Sequence, residues 1–246
     1  MLRFVFLAAL CASAAHASAA PSLPPRLILV GDSTMATRTG YGDALCARFN
    51  ANVACVNLAR GGRSTGSYRA EGLWDKVQEQ LRDSAAYSAT YVLIQFGHND
   101  QPGKPGRSTD LVTEYPANLA RYVAETRALG AVPILVTPLT RRSFRGAWLH
   151  DDLAPWSATV RAIAEQHGVG LLDLNRHSIA AVQAMGTAEA DTLAQEPPPK
   201  GERPDGSKSA FDYTHLGPTG AGLFSSMAKD GLVRLQPELA ASLRRP

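Results

Sequence analysis

The chain has 246 residues, of which 45% are hydrophobic and 19% are charged, and its formal net charge is +3. Without an N-terminal leader, roughly 225 residues would remain, which is enough for one domain with a sizeable core. A net charge this small gives no basis for binding nucleic acid or an anionic membrane surface. The composition therefore indicates a globular domain whose function depends on a local site.

The first 20 residues have the pattern of a secretory signal peptide. Arg3 supplies a positive charge, residues 4–15 form an apolar run, and Ala15-His16-Ala17 is a small-x-small cleavage pattern. Ala17-Ser18-Ala19 fits the cleavage site equally well. An apolar run of about a dozen residues is too short to span a bilayer. We therefore expect residues 21–246 to form a single domain that is periplasmic or secreted.

The three cysteines fall into two groups. Cys11 lies in the leader and raises the alternative of a lipid anchor, although the bulky Leu10 before it suits that processing poorly. Cys46 and Cys55 remain in the exported chain, where an oxidising compartment favours a disulfide between cysteines so close in sequence. The sequence leaves two outcomes open for this pair, a disulfide or two buried thiols.

Short apolar runs alternate with amphipathic segments along the chain. Each apolar run predicts a buried strand, and the runs cover residues 27–30, 53–58, 91–96, 133–136 and 170–174. Between them, apolar residues recur at helical spacing in residues 41–50, 73–81, 119–130, 160–167 and 218–227. Such alternation predicts an α/β fold with a parallel sheet, helices on both faces and right-handed crossovers.

Polar, glycine-containing blocks follow the first three predicted strands. They are Gly31-Asp32-Ser33-Thr34, Gly61-Gly62-Arg63 and Gly97-His98-Asn99-Asp100. Because ligands of an open parallel sheet bind outside the carboxyl ends of its strands, we expect these blocks to converge. A fourth block, Asp212-Tyr213-Thr214-His215, stands just before the last predicted helix. That helix must then pack beside the first or fifth strand.

The four blocks contain the groups that acyl transfer requires. Ser33 offers a nucleophilic hydroxyl, and the three-residue spacing of Asp212 and His215 places a carboxylate and an imidazole on one face of a turn. The N–H groups of Ser33 and Gly62 and the side-chain amide of Asn99 can donate to an oxyanion. The sequence therefore predicts a serine hydrolase with Ser33 as nucleophile, His215 as base and Asp212 as the orienting acid.

A second serine competes for the role of nucleophile. Gly62-Arg63-Ser64-Thr65-Gly66 matches the G-x-S-x-G elbow, follows a strand and precedes a helix. If Ser64 were the nucleophile, the polar blocks at Ser33 and Asn99 would have no explanation. In addition, no His-Gly-Gly loop that could form an oxyanion hole precedes Ser64. Ser33 is the favoured nucleophile, and Ser64 stays open as an alternative.

Four further residues are candidates for substrate contact. His98 is interpreted as a packing or substrate-contact residue rather than a base. Arg141, Arg142 and Arg145 follow the fourth strand, where they would either pair with carboxylates of an acidic substrate or form a solvated loop.

Acidic residues near these positions are interpreted as structural. Asp32 and Asp100 are expected to accept hydrogen bonds from neighbouring backbone N–H groups. The run His150-Asp151-Asp152 has no second cluster at metal-ligand spacing, so we predict neither a metal nor a cofactor. The Pro-rich and charged segment from Thr192 to Ser209 predicts a loop.

At the four blocks the chain resembles the SGNH, or GDSL-type, hydrolase superfamily, from Leu27 to the last helix. Within that superfamily it is similar to the rhamnogalacturonan acetylesterases. This closer similarity rests on residues 31–35, 62–64, 96–100 and Thr137-Pro138-Leu139-Thr140-Arg141-Arg142.

The resemblance implies a flavodoxin-like three-layer α/β/α sandwich with five parallel strands in the order 2-1-3-4-5. It also implies removal of acetyl groups from an acetylated plant cell-wall polysaccharide or oligosaccharide by an acyl-enzyme route. Ser33, His215 and Asp212 would form the triad, and Ser33, Gly62 and Asn99 the oxyanion hole. A general exported esterase or lipase acting on short-chain acyl esters is one alternative, and a non-catalytic carbohydrate-binding relative is another.

Overall fold

The computed structural model describes residues 23–196 and 211–244. The predicted signal peptide lies outside these residues, as does most of the predicted loop from Thr192 to Ser209, so both stay predictions. Within the described ranges, no helix has the length and apolar content needed to cross a membrane.

Five parallel strands form the central sheet. They are β1 (Arg26–Gly31), β2 (Ala54–Asn57), β3 (Thr90–Gln95), β4 (Val132–Val136) and β7 (Gly170–Leu172). Their order across the sheet is β2-β1-β3-β4-β7, and every neighbouring pair is parallel. Strands β1 and β3 are buried along their whole length, as expected of strands covered on both faces. The predicted order of the five strands is confirmed.

Helices cover both faces of this sheet. They are α1 (Gly42–Cys46), α2 (Thr65–Ala70), α3 (Leu73–Leu81), α4 (Glu114–Ala128), α5 (Ala154–His167), α6 (Leu174–Asp191) and α7 (Pro218–Leu235). On one face Leu27 and Leu29 share a core with α1, α6 and α7. On the other face Ile28 and Val30 share a core with α3, α4 and α5. This alternation along β1 produces the predicted three-layer α/β/α sandwich.

Helix α2, helix α6 and a short hairpin were not predicted. The long helix α6 begins at Leu174, where the fifth strand was expected to end, and its buried face includes the small polar residues Asn175 and Ser178. Such a face leaves too few apolar residues to show a helical period. A short antiparallel hairpin of β5 (Phe144–Arg145) and β6 (Trp148–Leu149) follows β4. Strands of two residues are too short to show any period.

A disulfide joins the end of α1 to β2. It links Cys46 to Cys55, whose Cα atoms are 5.4 Å apart. Of the two outcomes that the sequence left open, the structure therefore shows the disulfide.

Candidate active site

Ser33 lies in the turn that directly follows β1. Its relative exposure is 8%, whereas Asp32 and Thr34 on either side are wholly buried. The Asp32 carboxylate accepts hydrogen bonds from the Thr34 backbone N–H at 2.9 Å and from the Thr34 hydroxyl at 2.8 Å. These bonds close an Asx-type turn around Ser33, as predicted for Asp32.

A chain of buried side chains supports this turn from inside the sheet. The Gln95 amide donates to the Thr34 hydroxyl at 2.7 Å, and the Tyr41 hydroxyl donates to the Gln95 carbonyl oxygen at 2.7 Å. None of these three side chains is exposed. Hydrogen bonds in such a low-dielectric setting strengthen one another, so the network fixes the backbone that carries Ser33.

His98 belongs to the same buried network. Its Nδ1 lies 3.3 Å from Asp32 Oδ2, and the residue is only 2% exposed. Burial raises the pKa of Asp32, but the His98 charge and hydrogen bonds from His98 and Thr34 outweigh that effect and lower the pKa below its usual value. The interpretation of His98 as a packing or substrate-contact residue stays a prediction. Its contact with Asp32 places it in the network that holds the Ser33 turn.

Asp212 and His215 are paired as the spacing predicted. The Asp212 carboxylate contacts His215 Nδ1 at 2.7 Å and accepts from the backbone N–H groups of Thr214 and His215 at 2.8 and 2.9 Å. Burial raises the pKa of Asp212, but these hydrogen bonds and the His215 charge lower it below its usual value. A carboxylate held in this way fixes the tautomer of the imidazole and leaves Nε2 for proton transfer.

Thr39 connects the two predicted catalytic segments. The N–H of Leu216, next to His215, donates to the Thr39 carbonyl oxygen at 2.9 Å. The Thr39 hydroxyl donates to the Ser33 carbonyl oxygen at 2.7 Å. In the described part of the chain no hydrogen bond joins the Ser33 hydroxyl to the His215 imidazole. Such bonds are often long until substrate is present. The two segments therefore meet at one edge of the sheet.

The predicted oxyanion donors Gly62 and Asn99 follow β2 and β3, the two strands on either side of β1. Gly62 has a φ of 77°, a conformation that favours glycine. The Asn99 amide donates to the Arg63 carbonyl oxygen at 3.1 Å, which orients the amide and leaves its second N–H free to donate. Gly97, just before this block, has a φ of 146°, and a Cβ there would lie 2.9 Å from Pro138.

The family model for the GDSL-like lipase/acylhydrolase family matches residues 29–223, which include all four blocks. The chain belongs to this family. The protein is therefore a carboxylic ester hydrolase, and its predicted resemblance to the SGNH superfamily is confirmed.

Named relatives of this GDSL hydrolase act on carbohydrate esters. The chain is 30% identical over 220 residues to rhamnogalacturonan acetylesterase RhgT of Bacillus subtilis, covering 86% of this chain and 91% of the relative. It is 27% identical over 224 residues to the probable rhamnogalacturonan acetylesterase YesY of the same species, covering 88% and 96%. The crystal structure of Axe2, an acetylxylan esterase from Geobacillus stearothermophilus, shares the fold. Its TM-score is 0.60 at 18% identity, covering 87% of this chain and 94% of that one.

Ser64 of this hydrolase has a structural role. It is wholly buried and is the N-cap of α2. Its hydroxyl accepts from the Ser67 N–H at 3.1 Å, and the Ser67 hydroxyl accepts from the Ser64 N–H at 2.9 Å. This reciprocal pair is a capping box, which accounts for the pattern that resembled a nucleophile elbow.

Asp100 ties three parts of the site together. Its Oδ1 accepts from the Thr65 N–H and hydroxyl at 3.0 and 2.6 Å, and from the Thr109 hydroxyl at 2.9 Å. Burial outweighs these hydrogen bonds and raises the pKa of Asp100 to about 6. The contacts join the third block to the start of α2 and to the following loop.

Arg142 is buried beneath the fourth block. Its Nη2 donates to the carbonyl oxygens of Asp212 and His215 at 2.6 and 2.9 Å, and its backbone N–H donates to the Tyr213 carbonyl oxygen at 2.9 Å. Since the side chain has no exposed surface, the prediction that Arg142 contacts substrate is not supported. The structure indicates that it holds the Asp212–His215 segment instead.

The other two predicted arginines lie in different surroundings. Arg141 donates to the Thr214 hydroxyl at 3.1 Å and forms an ion pair with Asp152, so it borders the predicted site. Arg145 is exposed in β5 and makes no described contact with the predicted triad. Among the residues that the structure describes, no group of three or more His, Cys, Asp or Glu is placed to hold a metal ion.

Two cations that the sequence analysis missed also lie at this site. Lys104 is partly buried, and that burial together with the charges of Arg141 and Arg107 lowers its pKa, while Asp32 and Asp152 act in the opposite direction. Arg107 Nη1 lies 3.5 Å from Asn99 Oδ1. Neither cation is ion-paired with a carboxylate of residues 23–196 or 211–244. The sequence offers one indication of their role, which is that Lys104 and Arg107 come shortly after the third block.

Proposed function

We propose that this ester hydrolase removes acetyl groups from plant cell-wall polysaccharide of the rhamnogalacturonan or pectin type. The observation that carries the proposal is the Asp212–His215 pair, which Thr39 ties to the turn bearing Ser33. The relatives named as rhamnogalacturonan acetylesterases support a carbohydrate acetylesterase. The disulfide and the predicted signal peptide support an exported enzyme.

In the first half of the reaction, the Ser33 hydroxyl attacks the acetyl carbonyl carbon. His215 Nε2 takes the hydroxyl proton, and Asp212 stabilises the resulting imidazolium through Nδ1. The tetrahedral oxyanion accepts hydrogen bonds from the N–H groups of Ser33 and Gly62 and from the Asn99 amide. The ester C–O bond then breaks as His215 returns the proton to the departing sugar oxygen, which leaves an acetyl group on Ser33.

In the second half, water takes the place of the sugar. His215 removes a proton from the water as its oxygen attacks the acetyl carbon, and the same donors hold the second oxyanion. Cleavage of the bond to Ser33 releases acetate, and the proton on His215 returns to the serine oxygen. Every proton moved in this cycle passes through the His215 imidazole.

Charge at the site mouth supports an acidic polysaccharide. Lys104 is close enough to Arg141, Arg107 and Asp32 for their charges to act on it, and Arg107 Nη1 lies 3.5 Å from Asn99 Oδ1. Guanidinium groups pair with carboxylates in a planar, two-pronged geometry. A galacturonate-containing backbone carries such carboxylates at regular spacing. A lipase-type alternative would need an apolar acyl groove, whereas the residues around this site are largely polar.

Acetate release from a panel of substrates tests this function. The panel contains acetylated rhamnogalacturonan, acetylated xylan, and short- and long-chain nitrophenyl esters. We expect the acidic polymer to have the highest kcat/KM of the panel. Ser33→Ala should lower the rate on every substrate by about a thousandfold or more. Ser64→Ala is the matched serine control and should retain most activity. Labelling of Ser64 by a fluorophosphonate, or a preference for long-chain esters, would contradict the proposal.

A further inference from the structure

A separate cleft opens beside the Ser33 turn, on the β2 side of the sheet. Its volume is about 800 Å³, and three segments line it: residues 36–39, residues 57–61 and the start of α3. Gly61 lies at its inner end, because a Cβ placed there would be 3.7 Å from the Ser33 Cβ. The cleft therefore begins next to the predicted nucleophile and leads away from Asn99 and Arg141.

Three cations line this cleft, one from each segment. They are Arg38, Arg60 and Lys76, all exposed, and the described lining includes no acidic side chain. Within the part of the chain that the structure describes, none of the three is ion-paired. The nearby Asp43 carboxylate, which accepts from the lining residues Asn57 and Thr37 at 2.7 and 3.3 Å, is one negative charge beside these three cations. The cleft thus presents a net positive charge.

The backbone at Arg38 is held in an unusual conformation. Its φ is 69°, and among the described residues it is the one non-glycine residue with positive φ. The Gln195 amide donates to the Arg38 carbonyl oxygen at 2.6 Å, and Leu216 and Ser33 fix the adjacent Thr39. Strained residues of this kind persist where the surroundings over-determine them, and they concentrate at ligand sites. The loop that presents Arg38 is therefore fixed to both catalytic segments.

We propose that this cleft binds a carboxylate-bearing stretch of the same polysaccharide chain, next to the sugar whose acetyl ester reaches Ser33. The inference rests on the proposed function, because it requires an acidic polymer whose ester lies at Ser33. Arg38 and Arg60 would pair with uronate carboxylates through parallel N–H···O hydrogen bonds, and Lys76 would add a point charge.

Cations then stand on both sides of Ser33. Lys104, Arg107 and Arg141 follow β3 and β4, whereas the cleft cations lie beside β2, and β1 with its serine runs between these strands. This arrangement fits a polymer that passes across the site, so acetyl groups within a chain would be accepted as well as those at its end.

Polygalacturonate, which carries carboxylates and no acetyl group, is a direct probe of the cleft. The measurement is its inhibition of nitrophenyl acetate hydrolysis by the wild type and by the variant Arg38→Gln, Arg60→Gln, Lys76→Gln. We expect the inhibition constant of the variant to rise about tenfold, since exposed ion pairs each contribute a small factor. The kcat for nitrophenyl acetate should not change, and rising salt should weaken wild-type inhibition in the same way.

A matched variant removes the same charge outside the cleft lining. Arg82→Gln, Arg127→Gln, Arg234→Gln changes exposed residues at or beyond the carboxyl ends of three helices and should leave the inhibition constant unchanged. Carboxyl-reduced polymer, which is neutral, should inhibit none of the proteins strongly. The double variant Arg60→Gln, Lys76→Gln leaves the Arg38 loop intact and should show a smaller rise in the same direction.

The outcomes separate this inference from the proposed function. Equal inhibition of the wild type and the cleft variant would overturn the cleft, whatever the enzyme does to acetylated polymer. Loss of inhibition in the cleft variant, combined with no acetate release from acetylated rhamnogalacturonan by the wild type, would keep the cleft and overturn the proposed substrate.

Discussion

At the Ser33 turn, Asp32, Thr34 and Gln95 are wholly buried and belong to one hydrogen-bonded network, whereas the side chains of Asp212 and His215 are 45% and 34% exposed. The first region extends directly from β1 and β3 in the centre of the sheet. The second precedes α7 and is held to the rest of the site through Arg142, the Arg141 contact to the Thr214 hydroxyl and the Thr39 contact to Leu216.

The nucleophile and the base are therefore positioned in two different ways. Side chains beneath the serine keep the nucleophile and the predicted oxyanion donors in place, because buried hydrogen bonds are costly to break. The base is placed by a surface segment whose geometry depends on a few contacts. We therefore expect changes around the serine to act mainly on the transition state or on stability, and changes beneath the histidine to act on its position.

The largest effect among the variants below should come from Asn99→Ala in the buried region. Loss of one oxyanion donor lowers kcat by about a hundredfold to a thousandfold with little change in KM. The measurement is steady-state kinetics on nitrophenyl acetate. Asn118→Ala is the control, because its amide contacts the Thr65 hydroxyl and not the predicted oxyanion donors. A raised KM at constant kcat would make Asn99 a substrate-binding residue instead.

Asp100 should give the buried region its own pH dependence of stability. Its pKa in the folded protein, about 6, lies above the usual value of 3.8, so the folded state binds the proton more tightly than the unfolded state. The resulting stabilisation is complete below about pH 4 and is lost as the pH rises through about 6. The shift corresponds to roughly 2–3 kcal/mol in the free energy of unfolding.

Denaturation of the wild type and Asp100→Asn between pH 4 and pH 7 measures this effect. Asparagine keeps an oxygen that can accept from Thr65 and Thr109 but does not titrate in this range. We expect the wild type to lose stability relative to the variant across the interval. A difference between the two proteins that stays constant with pH would contradict the raised pKa.

The parts of the molecule with strong local signals could be predicted from sequence. Short apolar runs, the first three of them followed by glycine, identified the five strands of the central sheet, and the topology then brought Ser33, Gly62 and Asn99 to one edge. The G-x-S-x-G pattern suggested Ser64 as an alternative nucleophile, whereas the structure shows that Ser64 belongs to a capping box. Helix α6 was missed because small and polar residues form part of its buried face.

The degree of burial of a charged side chain could not be predicted from the sequence. Arg141, Arg142 and Arg145 are close neighbours in sequence, yet one borders the site, one is buried and one is exposed. Segments distant in the chain, such as the Asp212 block, determine whether each arginine is buried or exposed. Lys104 and Arg107 were missed for the same reason, since only the folded loop places them beside Asn99 and Arg141.

Arg142→Lys should have the smallest effect, and it tests the exposed region. Lysine keeps the positive charge, but its side chain is one bond shorter than the path to Arg142 Nη2, which makes both bonds, so we expect it to lose one of the bonds to the carbonyl oxygens of Asp212 and His215. We expect kcat for nitrophenyl acetate to fall about tenfold, equivalent to about 1.4 kcal/mol, with KM unchanged. Labelling of Ser33 by a fluorophosphonate should slow in proportion, because it needs the same placement of His215. Arg145→Lys, on the exposed hairpin, should change neither rate. If Arg142→Lys lowered the free energy of unfolding and left both rates intact, Arg142 would support the fold alone, and the position of His215 would have to depend on the Arg141 and Thr39 contacts instead.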